Sequence, residues 1–262
     1  MAAVPIRVGH SADPDDAFMA WAFEAGKVDT RGLEFELVPS DIQTLNEWAV
    51  EGRLEITALS AGAYPAVSDR YLLLPHGASF GEGYGPIVVA KADVDLDEVE
   101  IATPGALTTA TRVLKQALPS ARTRDVPFDA ILDEVLSGRA EAGLLIHEGQ
   151  LTWADHGLRK LLDLGVWWQE QHALPLPLGV VVGRRDTERL ADASAVVREA
   201  IEVGLANRDD AMAYAMEFGR GIDAGTADEF VAMYVNDLTL DMGERGRRAV
   251  ATLLGSEPDF VA

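Results

Sequence analysis

One histidine in this sequence combines a suitable residue type with a suitable position for acid–base chemistry. His147 follows residues 141–146, a mostly apolar segment that is typical of a buried strand. Because imidazole titrates near neutral pH, a histidine at the end of such a strand could serve as a general base. The alternative is a buried histidine whose hydrogen bonds only stabilise the fold. The segment alone leaves both interpretations open.

A second polar segment, residues 9–16 with the sequence GHSADPDD, follows the predicted first strand and opens a predicted helix. In open α/β sheets, ligands bind at the carboxyl ends of strands, where helix N-termini also point. Ser11, Asp15 and Asp16 could therefore line a cleft. The alternative is that Asp13 and its acidic neighbours only cap the helix and complement its dipole.

A third segment, residues 103–110 with the sequence TPGALTTA, also lies between a predicted strand and the start of a helix. The hydroxyls of Thr108 and Thr109, together with the N–H groups of a first helical turn, can bind a carboxylate without a lysine. The alternative is that threonine only caps the helix.

Several classes of site are excluded by the residues that are present. The sequence contains no cysteine, which excludes thiolate metal sites, disulfides and cysteine nucleophiles. A zinc-protease motif would need a second histidine at position 151, which is Leu151. The other histidines are dispersed, so no metal site is predicted. The glycine-rich residues 81–86 precede a strand rather than a helix, and we therefore interpret them as a loop near a hinge.

The charge of the chain bears on its partners. Asp and Glu number 43 against 22 Lys and Arg, which gives a formal net charge of −21. Such a surface repels nucleic acid and anionic membranes, so neither is expected as a partner. The N-terminal residues lack the pattern of a secretory signal, and no apolar stretch is long enough to span a bilayer. We therefore expect a cytoplasmic protein that binds a small molecule.

Short apolar runs alternate with amphipathic segments, which predicts an α/β fold with largely parallel strands. Helices are predicted to end at Gly52 and Gly138, and a strand is predicted at residues 161–166. The order of elements predicts two lobes joined by two crossings. Lobe one comprises residues 1–90 and 179–262, and lobe two comprises residues 91–178. A cleft between such lobes is a favoured ligand site, and hinge closure is the expected motion.

An ordered set of motifs resembles the 1,4-dihydroxy-6-naphthoate synthase family of the futalosine route to menaquinone. The resemblance covers nearly the whole chain, and it rests on the order of the motifs rather than on any single one. The motifs are HSADPDDAF at 10–18, DIQTLN at 41–46, TALS at 57–60, AY at 63–64, GYGP at 83–86, PG at 104–105, TTA at 108–110, IHE at 146–148, LPLPLG at 174–179 and YVN at 234–236.

This resemblance implies a type II periplasmic-binding-protein-like fold: α/β, with two lobes and a ligand cleft between them. It implies a carbon–carbon lyase that converts cyclic dehypoxanthinyl futalosine to 1,4-dihydroxy-6-naphthoate and releases dihydroxyacetone. It implies no metal and no organic cofactor. The catalytic base of the family corresponds to His147. The implied substrate contacts are Ser60, Thr108 and Thr109. Ser11 and Asp16 are added as substrate-binding predictions because of their place after the first strand. Family members often carry asparagine where this sequence has Asp15, which is a departure from the pattern.

Two alternatives remain at this point. Chorismate dehydratase of the same pathway shares the implied fold, although the motifs at residues 13–16 and 146–148 fit the naphthoate synthase better. A solute-binding protein of a transporter also shares the fold. The absence of a secretory signal and of a lipidation cysteine argues against that class.

Overall fold

The computed structural model describes residues 5–147, 149–219 and 222–262. It contains two β-sheets with helices packed on both. The strands are β1 (Ile6–Ser11), β2 (Phe35–Ser40), β3 (Ile56–Ser60), β4 (Tyr71–Leu73), β5 (Ser79–Gly81), β6 (Ile87–Ala90), β7 (Glu100–Thr103), β8 (Arg122–Asp125), β9 (Ala142–Leu145), β10 (Arg159–Asp163) and β11 (Leu176–Arg184). The helices are α1 (Pro14–Glu24), α2 (Ile42–Glu51), α3 (Thr109–Ala117), α4 (Ile131–Ser137), α5 (Gly149–Thr152), α6 (Leu164–His172), α7 (Leu190–Ala206), α8 (Arg208–Ala215), α9 (Ala224–Tyr234), α10 (Asp237–Leu240) and α11 (Gly243–Leu254). Short 3₁₀ turns lie at Ala61–Ala66, Phe128–Ala130, Trp153–His156 and Met216–Phe218.

The first sheet has the strand order β2-β1-β3-β11-β4, and β5 also pairs with β11. Strand β1 runs parallel to β2 and β3, whereas β11 runs antiparallel to β3, β4 and β5. Because β1 and β3 are parallel neighbours, their carboxyl ends meet at one edge of the sheet. Ser11 and Ser60 are the last residues of these two strands and therefore lie at that edge.

The second sheet has the order β10-β6-β9-β7-β8. Strand β7 runs parallel to β8 and β9, and β6 runs antiparallel to β9 and β10. The parallel pair β7 and β9 brings two carboxyl ends together. His147 follows β9, and Thr108 with Thr109 follows β7 at the start of α3, so this arrangement groups the predicted site residues of the second sheet.

The expectation of largely parallel strands was wrong. Of the strand pairs among the described residues, four are parallel and five are antiparallel. An apolar run predicts a buried strand but carries no information about the direction of its partner. Strands β6 and β11, which carry the chain from one sheet to the other, both run opposite to neighbours on either side.

The two changes of sheet lie slightly earlier in the chain than the predicted lobe boundaries. Strand β6, at residues 87–90, pairs in the second sheet, although it was assigned to lobe one. Strand β11 begins at Leu176 and pairs in the first sheet, although lobe two was drawn to residue 178. The division into lobes itself remains a prediction.

Helix ends followed their local signals. Helices α2 and α4 end at Gly52 and Gly138, whose φ angles of 74° and 78° favour glycine, as predicted. The strand predicted at residues 161–166 was wrong in its second half. The Asp163 carboxylate accepts from the N–H groups of Gly165 (3.1 Å) and Val166 (3.2 Å), which starts helix α6 at Leu164.

The C-terminal helices pack on the side of the molecule that contains the first sheet. Helices α7, α8 and α9 pack on α1, and α11 packs on β11 and on the 3₁₀ turn Ala61–Ala66. This packing fixes α1, which begins directly after the polar end of β1. None of the described helices combines the length and the apolar character that a membrane crossing requires.

Candidate active site

A cavity of about 710 Å³, part of it open to solvent, lies where the polar ends of the two sheets face each other. Its lining comes from both sheets and from helix α9: Ser11, Asp13, Asp15, Asp16, Ile42, Ala58, Leu59, Ser60, Gly77, Ser79, Pro86, Thr108, Thr109, Ala110, Ile146, His147, Gln150, Leu178, Gly179, Val180, Phe230 and Tyr234. Among the described residues, the charged or titratable side chains in this lining are aspartate, histidine and tyrosine, without a lysine or arginine.

All six residues that the sequence analysis selected line this one cavity. They are Ser11, Asp16, Ser60, Thr108, Thr109 and His147. Residues far apart in the chain are thus brought together by the meeting of four strand ends. Their individual roles in binding and catalysis remain predictions.

The contact between His147 and Asp13 joins the two sides of the cavity. His147 Nδ1 lies 3.1 Å from Asp13 Oδ2, and the Asp13 side chain is 1% exposed. The Ser11 hydroxyl also donates to Asp13 Oδ2. An ionised carboxylate only accepts hydrogen bonds, so with Asp13 ionised the imidazole proton lies on Nδ1. His147 Nε2 is buried and forms no hydrogen bond to the described residues. Asp13 lies at the N-terminus of helix α1, but its side chain makes no capping hydrogen bond to that helix. Its carboxylate instead contacts His147 on the other side of the cavity.

The backbone of His147 is held in an uncommon conformation. Its φ angle of 55° is left-handed, which non-glycine residues adopt rarely and mostly where the surroundings impose it. The Gln150 N–H donates to the His147 carbonyl (3.1 Å). The ring of Phe128 packs edge-on against the imidazole, with 4.9 Å between ring centroids. Glu148, the last residue of the IHE motif, lies outside the described residues.

Gln150 joins the His147 segment to helix α9. In the amide orientation that satisfies its neighbours, the oxygen accepts from the His147 N–H (3.1 Å). The nitrogen then donates to the Gly85 carbonyl (2.6 Å) and to the Tyr234 hydroxyl (2.9 Å). Tyr234 keeps its own proton to donate, and burial raises the pKa of Tyr234, so its phenol stays neutral.

Two further aspartates in the lining carry raised pKa values. Burial, reinforced by the charges of Asp16 and Asp13, holds the pKa of Asp15 well above its usual value. Burial is also the main cause that raises the pKa of Asp16 to about 7, although its carboxylate accepts from the Ser11 N–H at 2.6 Å. In its protonated form, which the raised pKa favours, Asp15 presents an O–H donor. The cavity is thus less negative than a count of its carboxyl groups indicates.

The two threonines use their hydroxyl protons within the protein. Thr108 Oγ1 donates to the Gly105 carbonyl (2.8 Å) and accepts from the Thr111 N–H (3.3 Å), which makes Thr108 the N-cap of α3. Thr109 Oγ1 donates to the Leu178 carbonyl at 2.7 Å. A donor for a bound anion at this place would therefore be a main-chain N–H of the first turn of α3, which has no acceptor within the helix.

Ser60, in contrast, keeps a hydroxyl proton for the cavity. Its N–H donates to Asn46 Oδ1 (2.8 Å), and Asn46 Nδ2 donates to Ser60 Oγ (3.0 Å). Asn46 is fully buried in helix α2 and fixes the end of β3 through these two bonds. Because Ser60 Oγ accepts from Asn46, its own O–H can point at a ligand.

Sequence reasoning did not select Asp13, Gln150 or Tyr234 as site residues. Asp13 was considered a helix cap, because Asp followed by Pro is a common helix start. Its partner His147 is distant in the chain, and no local spacing signals such a pair. Gln150 carried no signal, and Tyr234 appeared only in one motif of the resemblance. In the part of the chain that the structure describes, no cluster of three His, Asp or Glu side chains is arranged to hold a metal ion.

The chain is similar to known proteins over nearly its whole length. The model of a family described as menaquinone biosynthesis matches residues 6–256. A 1,4-dihydroxy-6-naphthoate synthase from Thermus thermophilus is 40% identical, covering 95% of this chain and 92% of that protein. A Streptomyces coelicolor protein of the same name is 33% identical, covering 97% and 93% respectively.

Solved structures share the architecture. A crystal structure of a protein from Archaeoglobus fulgidus has a TM-score of 0.93 and 47% identity, covering 97% of both chains. A Candida albicans protein described as having the generic periplasmic binding protein fold has a TM-score of 0.69 at 11% identity, covering 97% of this chain and 90% of that one. An alkanesulfonate-binding protein from Xanthomonas axonopodis pv. citri, bound to MOPS, has a TM-score of 0.68 at 12% identity, covering 89% and 86%. The expected periplasmic-binding-protein-like fold is thereby confirmed.

Proposed function

Because this chain belongs to the menaquinone-biosynthesis family of the 1,4-dihydroxy-6-naphthoate synthases, we propose that it cleaves cyclic dehypoxanthinyl futalosine to 1,4-dihydroxy-6-naphthoate and dihydroxyacetone. The observation that supports this most directly is a buried imidazole nitrogen, His147 Nε2, at a cavity lined by residues of both sheets. A lyase of this kind needs a base, a positioning cavity and protection from water.

The proposed base is His147. With its proton on Nδ1 towards Asp13, the ring carries its lone pair on Nε2. Nε2 takes a proton from the substrate, the carbon–carbon bond breaks, and the electrons pass into the ring that becomes aromatic. The proton returns to the separating fragments, so the protein ends the cycle unchanged. Aromatisation makes the cleavage favourable, and the contribution of the protein is mainly kinetic.

The substrate of the proposed reaction carries a carboxylate, and the described lining of the cavity offers neutral donors for it. These donors are the Ser60 hydroxyl, the Tyr234 hydroxyl and the N–H groups at the start of α3. Burial and neighbouring charge raise the pKa of Asp15, which favours its protonated form, a neutral donor rather than a repelling charge. The apolar part of the lining, which includes Phe230 and Leu178, suits an aromatic ring system.

The test is turnover of purified protein with cyclic dehypoxanthinyl futalosine, followed by detection of the naphthoate. His147→Asn keeps a polar side chain that cannot take the proton. We expect it to lower kcat by roughly 10²- to 10⁴-fold, because general-base catalysis typically contributes that much. Product affinity, measured by calorimetry, should change by no more than a few-fold, since the base acts mainly in the transition state.

Three other results would contradict the proposed reaction or the proposed base. A folded His147→Asn variant with a rate within a few-fold of the unchanged protein would remove His147 as the base. Binding of the compound without conversion by the unchanged protein would favour a solute-binding function. Turnover of chorismate instead would favour the dehydratase of the same pathway.

A further inference from the structure

Asp13 and His147 approach each other from opposite sides of the cavity. Asp13 follows β1 of the first sheet, and His147 follows β9 of the second sheet. Their contact of 3.1 Å is therefore formed only when the polar ends of the two sheets face each other as they do here. The strands that precede the two residues belong to different sheets.

The surroundings of Asp13 suit a group that receives hydrogen bonds. Its side chain is 1% exposed, and the Ser11 hydroxyl and His147 Nδ1 converge on the same oxygen, Oδ2. Two donors on one buried carboxylate oxygen are strong, charge-assisted partners. The Ser11 contact fixes the carboxylate, which in turn fixes the plane of the imidazole from one side. The edge of Phe128 limits that ring from another side.

We propose that Asp13 is a positioning residue that holds His147 in the tautomer with the proton on Nδ1 and the lone pair on Nε2. In a neutral imidazole the hydrogen bond at one nitrogen decides which nitrogen carries the proton. Nε2 is the buried nitrogen that has no hydrogen bond to the described residues, so this tautomer leaves the basic atom at the cavity. The inference rests on the proposed function for its catalytic meaning, but the tautomer can be measured without any turnover.

The measurement is nitrogen-15 NMR of the imidazoles in protein labelled at histidine and saturated with 1,4-dihydroxy-6-naphthoate, so that the two sides of the cavity face each other, at a pH where His147 is neutral. The chain has 5 histidines, and the signals of His147 are those that disappear in His147→Asn. We expect the unchanged protein to show a protonated Nδ1 and an unprotonated Nε2. In Asp13→Asn, whose amide can donate to Nδ1, and in Asp13→Ala, the proton should move to Nε2.

Turnover gives the second measurement. Each Asp13 variant should lose roughly 10²- to 10⁴-fold in kcat with KM changed only a few-fold, because a base in the wrong tautomer still permits binding. Asp16→Asn is the matched control for the tautomer. Asp16 is a neighbouring carboxyl in the same lining, but it accepts from the Ser11 N–H rather than from His147. The His147 tautomer should therefore be the same in Asp16→Asn as in the unchanged protein.

The outcomes separate this inference from the proposed function. An unchanged protein in which His147 carries its proton on Nε2 overturns the inference without any variant. So does an Asp13→Asn variant that folds and keeps the original tautomer, whatever its activity. A tautomer that moves in the Asp13 variants, in a protein that does not convert cyclic dehypoxanthinyl futalosine, supports the positioning role and rejects the proposed substrate.

Discussion

Asp15 and Asp16 occupy adjacent positions in the first turn of α1 and both line the cavity, Asp15 buried and Asp16 half-buried. Two neighbouring carboxyls in one low-dielectric place cannot both ionise at little cost. The pKa of Asp15 is held well above its usual value, and that of Asp16 is raised to about 7, in both cases mainly by burial. When protonated, Asp15 offers an O–H donor to the cavity.

The raised pKa of Asp16 predicts how stability depends on pH. In the unfolded chain Asp16 ionises near pH 4, whereas in the folded protein it keeps its proton up to about pH 7. Its stabilising effect is therefore complete below pH 4 and is lost as the pH rises through 7. Asp16→Asn removes this dependence. Between pH 5 and pH 7 the variant should gain roughly 2–3 kcal/mol in unfolding free energy relative to the unchanged protein.

Urea unfolding at several pH values measures this difference. Asp155→Asn provides a control, because Asp155 is exposed and its neutralisation should shift the curve little at any pH. An Asp16→Asn variant whose stability runs parallel to that of the unchanged protein from pH 5 to pH 8 would show that Asp16 is ionised throughout.

At the scale of elements, Thr109 ties helix α3 to the first sheet. Its hydroxyl accepts from the Gly62 N–H (2.9 Å) in a 3₁₀ turn and donates to the Leu178 carbonyl (2.7 Å) in β11. The Cα of Thr109 also lies where a side chain at Gly62 would collide, at 3.1 Å from an ideal Cβ. One buried hydroxyl thus joins three elements.

Thr109→Val should weaken this junction. Valine keeps the shape but leaves the Gly62 N–H and the Leu178 carbonyl without this partner, which costs about 1–3 kcal/mol for each group left unsatisfied. Thr109→Ser keeps the hydroxyl and should lose much less. Chemical unfolding of the three proteins is the measurement. Equal stability of the Val and Ser variants would mean that the hydroxyl contributes nothing to the junction.

The sequence predicted the elements whose signals are local. Gly52 and Gly138 end helices as expected. The left-handed backbone conformation at these helix ends favours glycine, and a glycine can be read directly from the sequence. The pairing of β6 and β11 was not predictable in this way. Whether a strand pairs parallel or antiparallel depends on which other strand it lies beside. The residues of one apolar segment do not specify that partner.

The same distinction applies to the site. His147 was found because its residue type and its place after an apolar segment suggest acid–base chemistry. Ser11, Asp16, Thr108 and Thr109 were found because they lie between strands and helices. Asp13 was named only as a cap, since its partner is supplied by the packing of one sheet against the other. Residue types and strand ends are local properties, whereas the contact between Asp13 and His147 is a long-range one.

At the scale of the whole molecule, the cavity is closed by contacts that cross it. Asp13 meets His147, and the Tyr234 hydroxyl meets Gln150 at 2.9 Å. The chain passes between the sheets at two places, residues 82–86 between β5 and β6 and residues 173–175 between α6 and β11. Two short crossings with a ligand cavity between them are typical of proteins that close on a ligand by hinge motion.

We therefore predict that the structure corresponds to the closed form and that the protein opens in the absence of ligand. A bound naphthoate offers new contacts to both sides and shifts the population towards closure. Small-angle X-ray scattering should show a smaller radius of gyration at saturating product than without it. The ligand-bound value should match the one calculated from this structure, and Gln150→Leu, which removes the amide contacts to Gly85 and Tyr234, should show a smaller compaction at saturation. A ligand-free protein whose scattering already matches the closed structure, with no change when calorimetry shows full occupancy, would contradict the closing motion and leave the cavity as a preformed site.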